Sequence, residues 1–398
     1  MIKGVAVTGM GIISSIGNTV EENFQSLKSL KPGISRIKKI KTVHRDAIKV
    51  GEIDLTNDEL IEFLDLPKDN NYSRTALLGE VAAVEAIKNA NISDINSYKT
   101  GLISSTSVGG MDMTEKHYYS QFEETKNRKY IESHPAGDST NKIANRLGIS
   151  DFVTTISTAC SSSANAIMLG ARMIRSGKLD RVVVGGADCL SKFTINGFKT
   201  LMILSETDCK PFDENRTGLN LGEAAAYLVL ESDRIVEQEN KQVLAYVSGY
   251  ANTNDAFHQT ASSENGEGAF LAMTQALKEA NLVAENIDYI NAHGTATPNN
   301  DLSESRAIIR VFGDSLPYLS STKAYTGHTL AAAAAIEAVY SILALRNGVV
   351  LPNLNFQTPI AETSIVPVTK VLNKKLQHVL SNSFGFGGNC STIIFSKA

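Results

Sequence analysis

One stretch near the middle of this chain limits what the sequence can fold into. Residues 154–158 form a short run rich in β-branched side chains, and Cys160 follows it among small residues. Alanine, isoleucine and methionine then recur at helical spacing over residues 164–174, and Gly177 ends the run. The sequence therefore predicts a strand that turns directly into a helix, with a cysteine at the turn.

The predicted position of Cys160 is suited to a nucleophile. Unpaired N–H groups and the macrodipole at a helix N-terminus favour a thiolate, so we expect a depressed pKa for this thiol. Its small neighbours would let a substrate approach the sulfur. A buried structural thiol is the alternative, and this stretch by itself does not decide between the two.

The composition narrows the class of protein. With 42% hydrophobic and 20% charged residues, the chain resembles a soluble globular protein, and its 398 residues can bury a large core. A net charge of -4 gives no reason to expect nucleic-acid binding. The four cysteines are scattered, which suits neither a disulfide framework nor a zinc site, so we expect a reducing, cytoplasmic setting.

We also expect no membrane segment. The N-terminal run 1–9 has the pattern of a strand that leads into a glycine turn, and its apolar part is too short for a signal peptide. The longest apolar helix, over residues 330–345, is rich in alanine and interrupted by Glu337. It is too short and too polar to cross a bilayer, so we predict a buried core helix.

The order of elements repeats. A charged and polar segment over residues 237–242 divides the chain into halves at 1–242 and 243–398, and each half alternates strands with helices. Each half also places a reactive side chain where a helix of small residues begins, Cys160 in the first and His328 in the second. This predicts an α/β fold with a pseudo-twofold axis, mainly parallel sheets, and two central helices between them.

Two histidines complete a candidate site. His293 follows a short buried strand and precedes a glycine, and His328 ends a turn of small residues before the alanine-rich helix. Either histidine alone is more often structural than catalytic. One cysteine and two histidines at strand ends and helix starts of one α/β fold form a set that favours catalysis, with Cys160 as the nucleophile.

These motifs together resemble the β-ketoacyl-ACP synthases, the condensing enzymes of fatty-acid and polyketide synthesis. The resemblance covers nearly the whole chain and follows family order: Val5 to Gly11, Thr158 to Cys160, Asn291 to Thr297 with Asp301 and Glu304, Ser321 to Lys323 with Gly327 and His328, and Phe384 to Gly388. It implies a thiolase-like layered αβαβα fold with an internal pseudo-twofold duplication, and a dimer.

The resemblance also implies a mechanism. Cys160 takes the acyl chain as a thioester, and a malonyl group on acyl carrier protein then enters. His293 and His328 donate hydrogen bonds to the malonyl thioester carbonyl and stabilise the enolate that forms as CO2 leaves. The backbone N–H groups of Cys160 and Phe386 form the oxyanion hole.

Supporting roles follow from the same resemblance. Lys323 and Glu304 match a polar pair that positions the histidines, and Phe386 resembles a gate between the acyl pocket and the malonyl side. The hydroxyl groups that hold the phosphopantetheine arm match Thr295 and Thr297, and the residues expected to line the acyl pocket are Val108 and Phe198. We expect the acidic carrier to dock on basic residues at the tunnel mouth, namely Arg128 and Lys129, with Arg36 to Lys49 as the weaker candidate.

The resemblance implies no cofactor and no metal, because the substrates arrive on the phosphopantetheine of acyl carrier protein. A homodimer is expected, and a heterodimer with a sister synthase subunit stays open.

One alternative function is that of a non-decarboxylating thiolase that uses CoA, with Cys390 as its second cysteine, although Lys323 and His328 favour the synthase. Another is a partner subunit that sets chain length, although such subunits usually lack the cysteine. The sequence leaves the acyl substrate open, and the serines after Cys160 are closer to polyketide-type synthases.

Overall fold

The computed structural model describes residues 4–398 of the chain. We number the strands of this part in chain order: β1 Val5–Ser14, β2 Ser35–Arg36, β3 Lys49–Gly51, β4 Thr100–Ser105, β5 Phe152–Ile156, β6 Arg181–Asp188, β7 Leu221–Gly222, β8 Ala224–Glu231, β9 Ala245–Asn254, β10 Tyr289–Asn291, β11 Tyr318–Ser320, β12 Val349–Val350, β13 Leu372–Asn373, β14 His378–Gly385 and β15 Asn389–Ser396. The α-helices are α1 Val20–Lys28, α2 Asn57–Phe63, α3 Arg74–Asn89, α4 Met111–His117, α5 Ser120–Glu123, α6 Arg128–Ile131, α7 Ala136–Leu147, α8 Ser162–Arg175, α9 Lys192–Thr200, α10 Asp233–Gln238, α11 Glu267–Ala280, α12 Pro298–Phe312, α13 Lys323–Thr326 and α14 Ala333–Asn347.

The main sheet shows the internal duplication directly. Its order is β11-β10-β14-β15-β9-β1-β8-β6-β4-β5, and the two halves of the chain meet where 5–7 pairs antiparallel with 245–247. Outward from this junction, β1-β8-β6-β4-β5 and β9-β15-β14-β10-β11 show the same sequence of directions: two antiparallel pairings, then two parallel ones. The predicted pseudo-twofold duplication is confirmed.

Two details of the sheet differ from the prediction. The main sheet is mixed rather than mainly parallel, because β8 runs antiparallel to β6 and β15 runs antiparallel to β14. β14 and β15 are joined by a tight turn at residues 386–388, which leaves no room for the crossover that a parallel pair needs. The halves also form one continuous sheet instead of two, through the three residue pairs at their junction.

Helices form three layers around the two halves of the sheet. The inner helices α8 and α14 share one apolar cluster with both halves. Helices α3 and α7 cover the outer face of the first half, and α11 and α12 cover that of the second. The result is the predicted layered αβαβα fold, in which each half-sheet buries both faces.

The inner helix α14 is enclosed by protein. A 3₁₀ turn over Leu330–Ala332 leads directly into this helix, and every residue from 333 to 345 is buried. Small side chains let it approach α8 closely, and the N–H of Ala335 donates to Ser163 Oγ at 2.9 Å. By length and composition Leu330–Asn347 passes as a candidate membrane span, but 89% of that window is buried inside the protein.

Candidate active site

Cys160 lies at the turn that the sequence predicts, between β5 and α8. The turn is tight, because Ser162 Oγ accepts a hydrogen bond from the N–H of Thr158 at 2.8 Å and donates one to the carbonyl of Ala159 at 2.6 Å. Ala159 takes a left-handed conformation, with φ of 53°, to make this turn. The Cys160 side chain is only 5% exposed, and it lines two cavities.

His328 lies at the equivalent point of the second half, before α14. Its backbone N–H donates to the carbonyl of Asn220 at 2.7 Å, and its Nδ1 accepts a hydrogen bond from the N–H of Leu330 at 3.0 Å. Since Nδ1 accepts, a neutral ring carries its proton on Nε2, and that N–H is the donor available to the site.

His293 follows β10, on a segment that two carboxylates hold. Glu304 accepts the N–H groups of His293 at 2.9 Å and Gly294 at 2.8 Å, and Asp301 accepts the N–H of Ala296 at 3.1 Å. Gly294 has φ of +39°, and a Cβ there would lie 2.5 Å from the Cβ of Ser321, so only glycine fits. This network fixes the backbone from which the His293 ring enters the site.

The three side chains converge. One ring nitrogen of each histidine and the sulfur of Cys160 all lie within 4.8 Å of one another, and the two imidazole rings meet edge to face at 5.5 Å between centroids. Burial, followed by the charge of Lys323, lowers the pKa of His328 to about 3 and that of His293 well below its usual value. Both rings are therefore neutral at pH 7 and act as N–H donors rather than as cations.

The pKa that we expected for Cys160 is wrong in direction. Burial raises the pKa of this thiol to about 11, although the Lys323 ammonium and the backbone N–H groups of Phe386 and Cys160 lower it. The sulfur precedes the first turn of α8, so desolvation outweighs what the helix N-terminus supplies. The same contacts place the predicted pair of backbone donors at the sulfur.

The partner of Lys323 also differs from the prediction. The Lys323 ammonium pairs with the carboxylate of Glu337 on α14, and both side chains are buried. Burial raises the pKa of Glu337 to about 7, against the attraction of Lys323. Glu304 instead holds the His293 backbone. The sequence signal for Glu337 was a single carboxylate in an alanine-rich helix, which we had treated only as an interruption.

Two cavities meet at Cys160. The first, of about 310 Å³, is lined by both histidines and by Thr295 and Thr297. The second, of about 430 Å³, is mainly apolar and is lined by the predicted residues Val108 and Phe198. The side chain of Phe386 lines both cavities. Its ring stacks on that of Phe198, with 5.9 Å between the ring centroids and 23° between the ring planes.

A basic residue that sequence reasoning did not single out, Arg216, lies beside the polar end of the first cavity. Thr295 and Thr297 lie with their hydroxyl oxygens 2.9 Å apart. The guanidinium of Arg216 donates to the carbonyls of Thr297 at 3.4 Å and Pro298 at 2.7 Å, which places a basic side chain beside the lining residues. Its position in the turn-rich run 213–218 was the available signal.

The basic residues that we expected at a tunnel mouth do not line either of these two cavities. Arg128 is exposed at the start of α6, and the Lys129 ammonium pairs with Asp69. Whether a carrier protein contacts them stays a prediction.

A cysteine with two histidines is also a ligand set that zinc accepts. The Lys323 ammonium opposes a divalent cation here, because its positive charge already acts on the Cys160 sulfur and lowers the pKa of that thiol.

Four residues around the site have a strained backbone conformation. Ala159, Phe212, Ala296 and Leu330 all have φ between 53° and 65°, a region that residues other than glycine rarely adopt. Ala159 precedes Cys160, and Leu330 follows His328. Phe212 contacts the His293 segment, to which Ala296 belongs. Such strain persists only where the surrounding structure fixes the chain, so the site is preorganised.

A buried thiol that faces two neutral imidazoles, at the junction of two cavities, defines the acyl-transferring class of enzymes with a thiolase-like fold. Comparison with protein families agrees: the N-terminal domain of beta-ketoacyl synthases matches residues 3–234, and the C-terminal domain matches residues 244–357. The chain therefore belongs to the β-ketoacyl synthase family.

Individual relatives are similar over their whole length. The 3-oxoacyl-[acyl-carrier-protein] synthase 2 of Staphylococcus aureus strain N315 is 32% identical over 410 residues, which cover 99% of this chain and 98% of the relative. Among solved structures, a chain of the ishigamide ketosynthase/chain length factor has a TM-score of 0.93 and 28% identity, covering 100% of this chain and 99% of that one. A chain of a type II polyketide acyl carrier protein complex with its ketosynthase, bound to the hexaketide, has a TM-score of 0.84, 27% identity and full coverage of both chains.

Proposed function

We propose that this protein is an acyltransferase that condenses an acyl group held on Cys160 with malonyl-ACP, with loss of CO2, to give 3-oxoacyl-ACP. The observation that carries the proposal is the hydrogen bond from the N–H of Leu330 to His328 Nδ1, because it leaves the proton of the neutral ring on Nε2 as a donor. One nitrogen of this ring lies within 4.8 Å of the Cys160 sulfur and of a His293 nitrogen. The family and the named relatives support the same reaction.

The first half-reaction loads the enzyme. The sulfur of Cys160 attacks the thioester carbonyl of an acyl-carrier substrate, the carrier thiol leaves with the proton, and an acyl-cysteine thioester forms. Negative charge develops on the carbonyl oxygen in this step. The backbone N–H groups of Cys160 and Phe386 already meet at the sulfur, and two preorganised donors of this kind contribute about 3 kcal/mol each to lowering the barrier.

The second half-reaction uses the imidazoles. The thioester carbonyl of the malonyl group accepts hydrogen bonds from His293 and His328, which stabilises the enolate as the carboxylate leaves as CO2. A neutral donor is suited to this step, since a cationic imidazolium would instead bind the departing carboxylate. The enolate carbon then attacks the acyl carbonyl, a carbon–carbon bond forms, and the Cys160 thiolate departs and recovers a proton.

The two cavities separate the two substrates. The apolar cavity beyond Phe386, lined by Val108 and Phe198, suits an acyl chain. The cavity that contains both histidines suits the phosphopantetheine arm, with Thr295 and Thr297 as hydroxyl partners at its outer part. Phe386 lies between the two and acts as the gate.

We propose acyl carrier protein as the partner that delivers both substrates, so that no resident cofactor is needed. Arg128 and Lys129 stay our candidates for its docking surface, and Arg216 adds a cation beside the arm cavity. A setting in the cytoplasm is consistent with the free thiols of the four cysteines.

We also propose a dimer, either of this chain or with a sister subunit. β5 is one of the two edge strands of the main sheet, and no further strand among residues 4–398 pairs with its outer side. The acyl cavity opens beside Phe193 and Leu201, whose exposed fractions are 62% and 42%. A second subunit would cover these side chains and close the cavity. The family match to two separate domains supports the proposed halves at 1–242 and 243–398.

A CoA-dependent thiolase is the competing enzyme, because Cys390 lies in the same cavity as Cys160. Burial raises the pKa of Cys390 to about 12, so this residue is almost wholly a neutral thiol at pH 7 and has little thiolate to take a proton. The buried Lys323–Glu337 pair also has no role in a thiolase mechanism that works through a second cysteine. A non-catalytic partner subunit is disfavoured by the complete set of reactive side chains.

Incubation with acyl-ACP and malonyl-ACP tests the proposal. We expect one CO2 released for each 3-oxoacyl-ACP detected by mass spectrometry, and no product with the Cys160→Ala variant. Condensation of two acetyl-CoA molecules without CO2 would favour the thiolase. Failure to form an acyl-enzyme or to release CO2 in the presence of a range of acyl primers would overturn the enzyme assignment.

A further inference from the structure

Asp188, the last residue of β6, is a buried carboxylate that the mechanism above does not use. Its side chain is 0% exposed. Among the described residues, backbone N–H groups and hydroxyls satisfy it, and no ammonium or guanidinium is found beside it. A buried carboxylate that depends wholly on such donors fixes the position of each segment that supplies them.

The donors come from two separate segments. On one side, the segment after β4 supplies the hydroxyl of Thr106, the N–H and hydroxyl of Ser107, and the N–H of Val108, with the last at 3.1 Å from Oδ1. On the other side, the N–H of Ala331 donates to Oδ2 at 2.8 Å. Asp188 therefore joins two segments that lie far apart in the chain, since Ala331 is 143 residues from Asp188 itself.

Both segments belong to the active site. Val108 and Leu330 line the same acyl cavity. Leu330 also provides the N–H that fixes the tautomer of His328, at 3.0 Å from Nδ1. The backbone of Leu330 is in the left-handed region, with φ of 54°, and is held between its own bond to His328 and the bond from Ala331 to Asp188. The second bond ties this strained turn to Asp188 and, through the other oxygen of that carboxylate, to the Val108 segment.

We infer that Asp188 is a positioning residue, which fixes the wall of the acyl cavity at Val108 and the donor geometry of His328 with one carboxylate. The inference rests on the proposed function, because it concerns the two half-reactions of that site. It assigns to Asp188 an effect on chain-length preference through Val108 and an effect on decarboxylation through the turn at Leu330.

The Asp188→Asn variant tests this role with almost no change in shape. Oδ1 accepts hydrogen bonds from the Thr106–Val108 segment, and Oδ2 accepts from the N–H of Ala331 as well as from the N–H and hydroxyl of Ser107. Whichever way the amide is oriented, its NH2 group faces an N–H or O–H donor, so one of the two segments must move. A matched control is Glu85→Gln, because Glu85 also accepts two backbone N–H bonds, from Ile12 at 2.8 Å and Val20 at 2.9 Å, and lines neither cavity of the active site.

Three measurements are made on wild type and both variants: acylation of Cys160 by short and long acyl-ACP, CO2 release from malonyl-ACP, and the midpoint of thermal unfolding. For Asp188→Asn we expect kcat for CO2 release to fall by about tenfold or more with KM for malonyl-ACP unchanged, since a misplaced donor affects the transition state more than binding. We also expect the ratio of long-chain to short-chain acylation to change. Glu85→Gln should lower the unfolding midpoint but leave both quantities as in wild type.

The outcomes separate the two proposals. If wild type neither acylates nor releases CO2, the proposed function fails. If wild type is active and Asp188→Asn matches Glu85→Gln in kcat and in chain-length ratio, Asp188 is merely structural and the inference is overturned. If Asp188→Asn does not fold, Ser107→Ala decides, because it removes one hydroxyl donor from Oδ2. Ser107 itself lines the acyl cavity, so the deciding quantity is CO2 release: a few-fold fall in its kcat supports the inference, and a wild-type kcat overturns it.

Discussion

The rate at which Cys160 is alkylated should rise steeply with pH. A thiol whose burial raises its pKa to about 11 is ionised in only about one molecule in ten thousand at pH 7, against about three in a hundred for an ordinary thiol of pKa ~8.5. The more basic thiolate is intrinsically more reactive, and a Brønsted coefficient of ~0.4–0.5 recovers about tenfold of this difference. We therefore expect Cys160 to react roughly 30-fold more slowly than a free cysteine at pH 7.

The assay is labelling by iodoacetamide at pH 6 to 10, with the Cys160 peptide quantified by mass spectrometry. Because the thiolate is the reactive form, the rate should increase about tenfold for each pH unit and should not level off before pH 10. Cys390 is an internal control in the same cavity; its pKa is raised to about 12, so it should label more slowly at every pH. A plateau with a midpoint below pH 8.5 would refute the reasoning, and would show that the helix N-terminus outweighs burial after all.

Three further predictions concern the half-reactions and the partner. His328→Ala should lower CO2 release from malonyl-ACP by about a hundredfold through loss of one donor, while acylation of Cys160 falls much less; equal loss in both assays would indicate a coupled Cys–His pair instead. Val108→Phe should exclude about four methylenes of a long primer from the acyl cavity. At ~0.8 kcal/mol for each methylene, this exclusion costs ~3 kcal/mol, which lowers kcat/KM for long primers roughly 200-fold and leaves short primers unaffected. A uniform loss of kcat/KM at all chain lengths would mean general disruption. Reversing the charges of Arg128 and Lys129 should raise KM for acyl-ACP at low salt and remove most of its salt dependence, which initial rates over a salt series will show; an unchanged KM would exclude this surface.

The positions of Cys160 and of both histidines could be predicted from the sequence, because each residue follows a strand or precedes a helix and the local pattern shows these elements. The duplication could be predicted for the same reason, since the order of elements repeats. Glu337 was missed as the partner of Lys323 because the two meet through tertiary packing, and a single carboxylate in an apolar helix does not show what it faces.

The ionisation of Cys160 could not be read from the sequence either. Its position before α8 was predicted, but the sign of the pKa shift depends on how completely the surrounding side chains exclude water. The directions of β8 and β15 raise the same difficulty, because a strand pattern does not show on which side its neighbour lies. In each case the missing information is the three-dimensional environment rather than the local conformation.

The duplicated sheet has a consequence for how such a site could arise. Cys160 and His328 occupy equivalent places in the two halves, each before an inner helix of small residues. Two identical halves associated about a twofold axis would present two thiols or two imidazoles at their centre, never one of each. With the halves joined in one chain, the two equivalent positions can carry different side chains, so that a thiol and an imidazole meet at one centre.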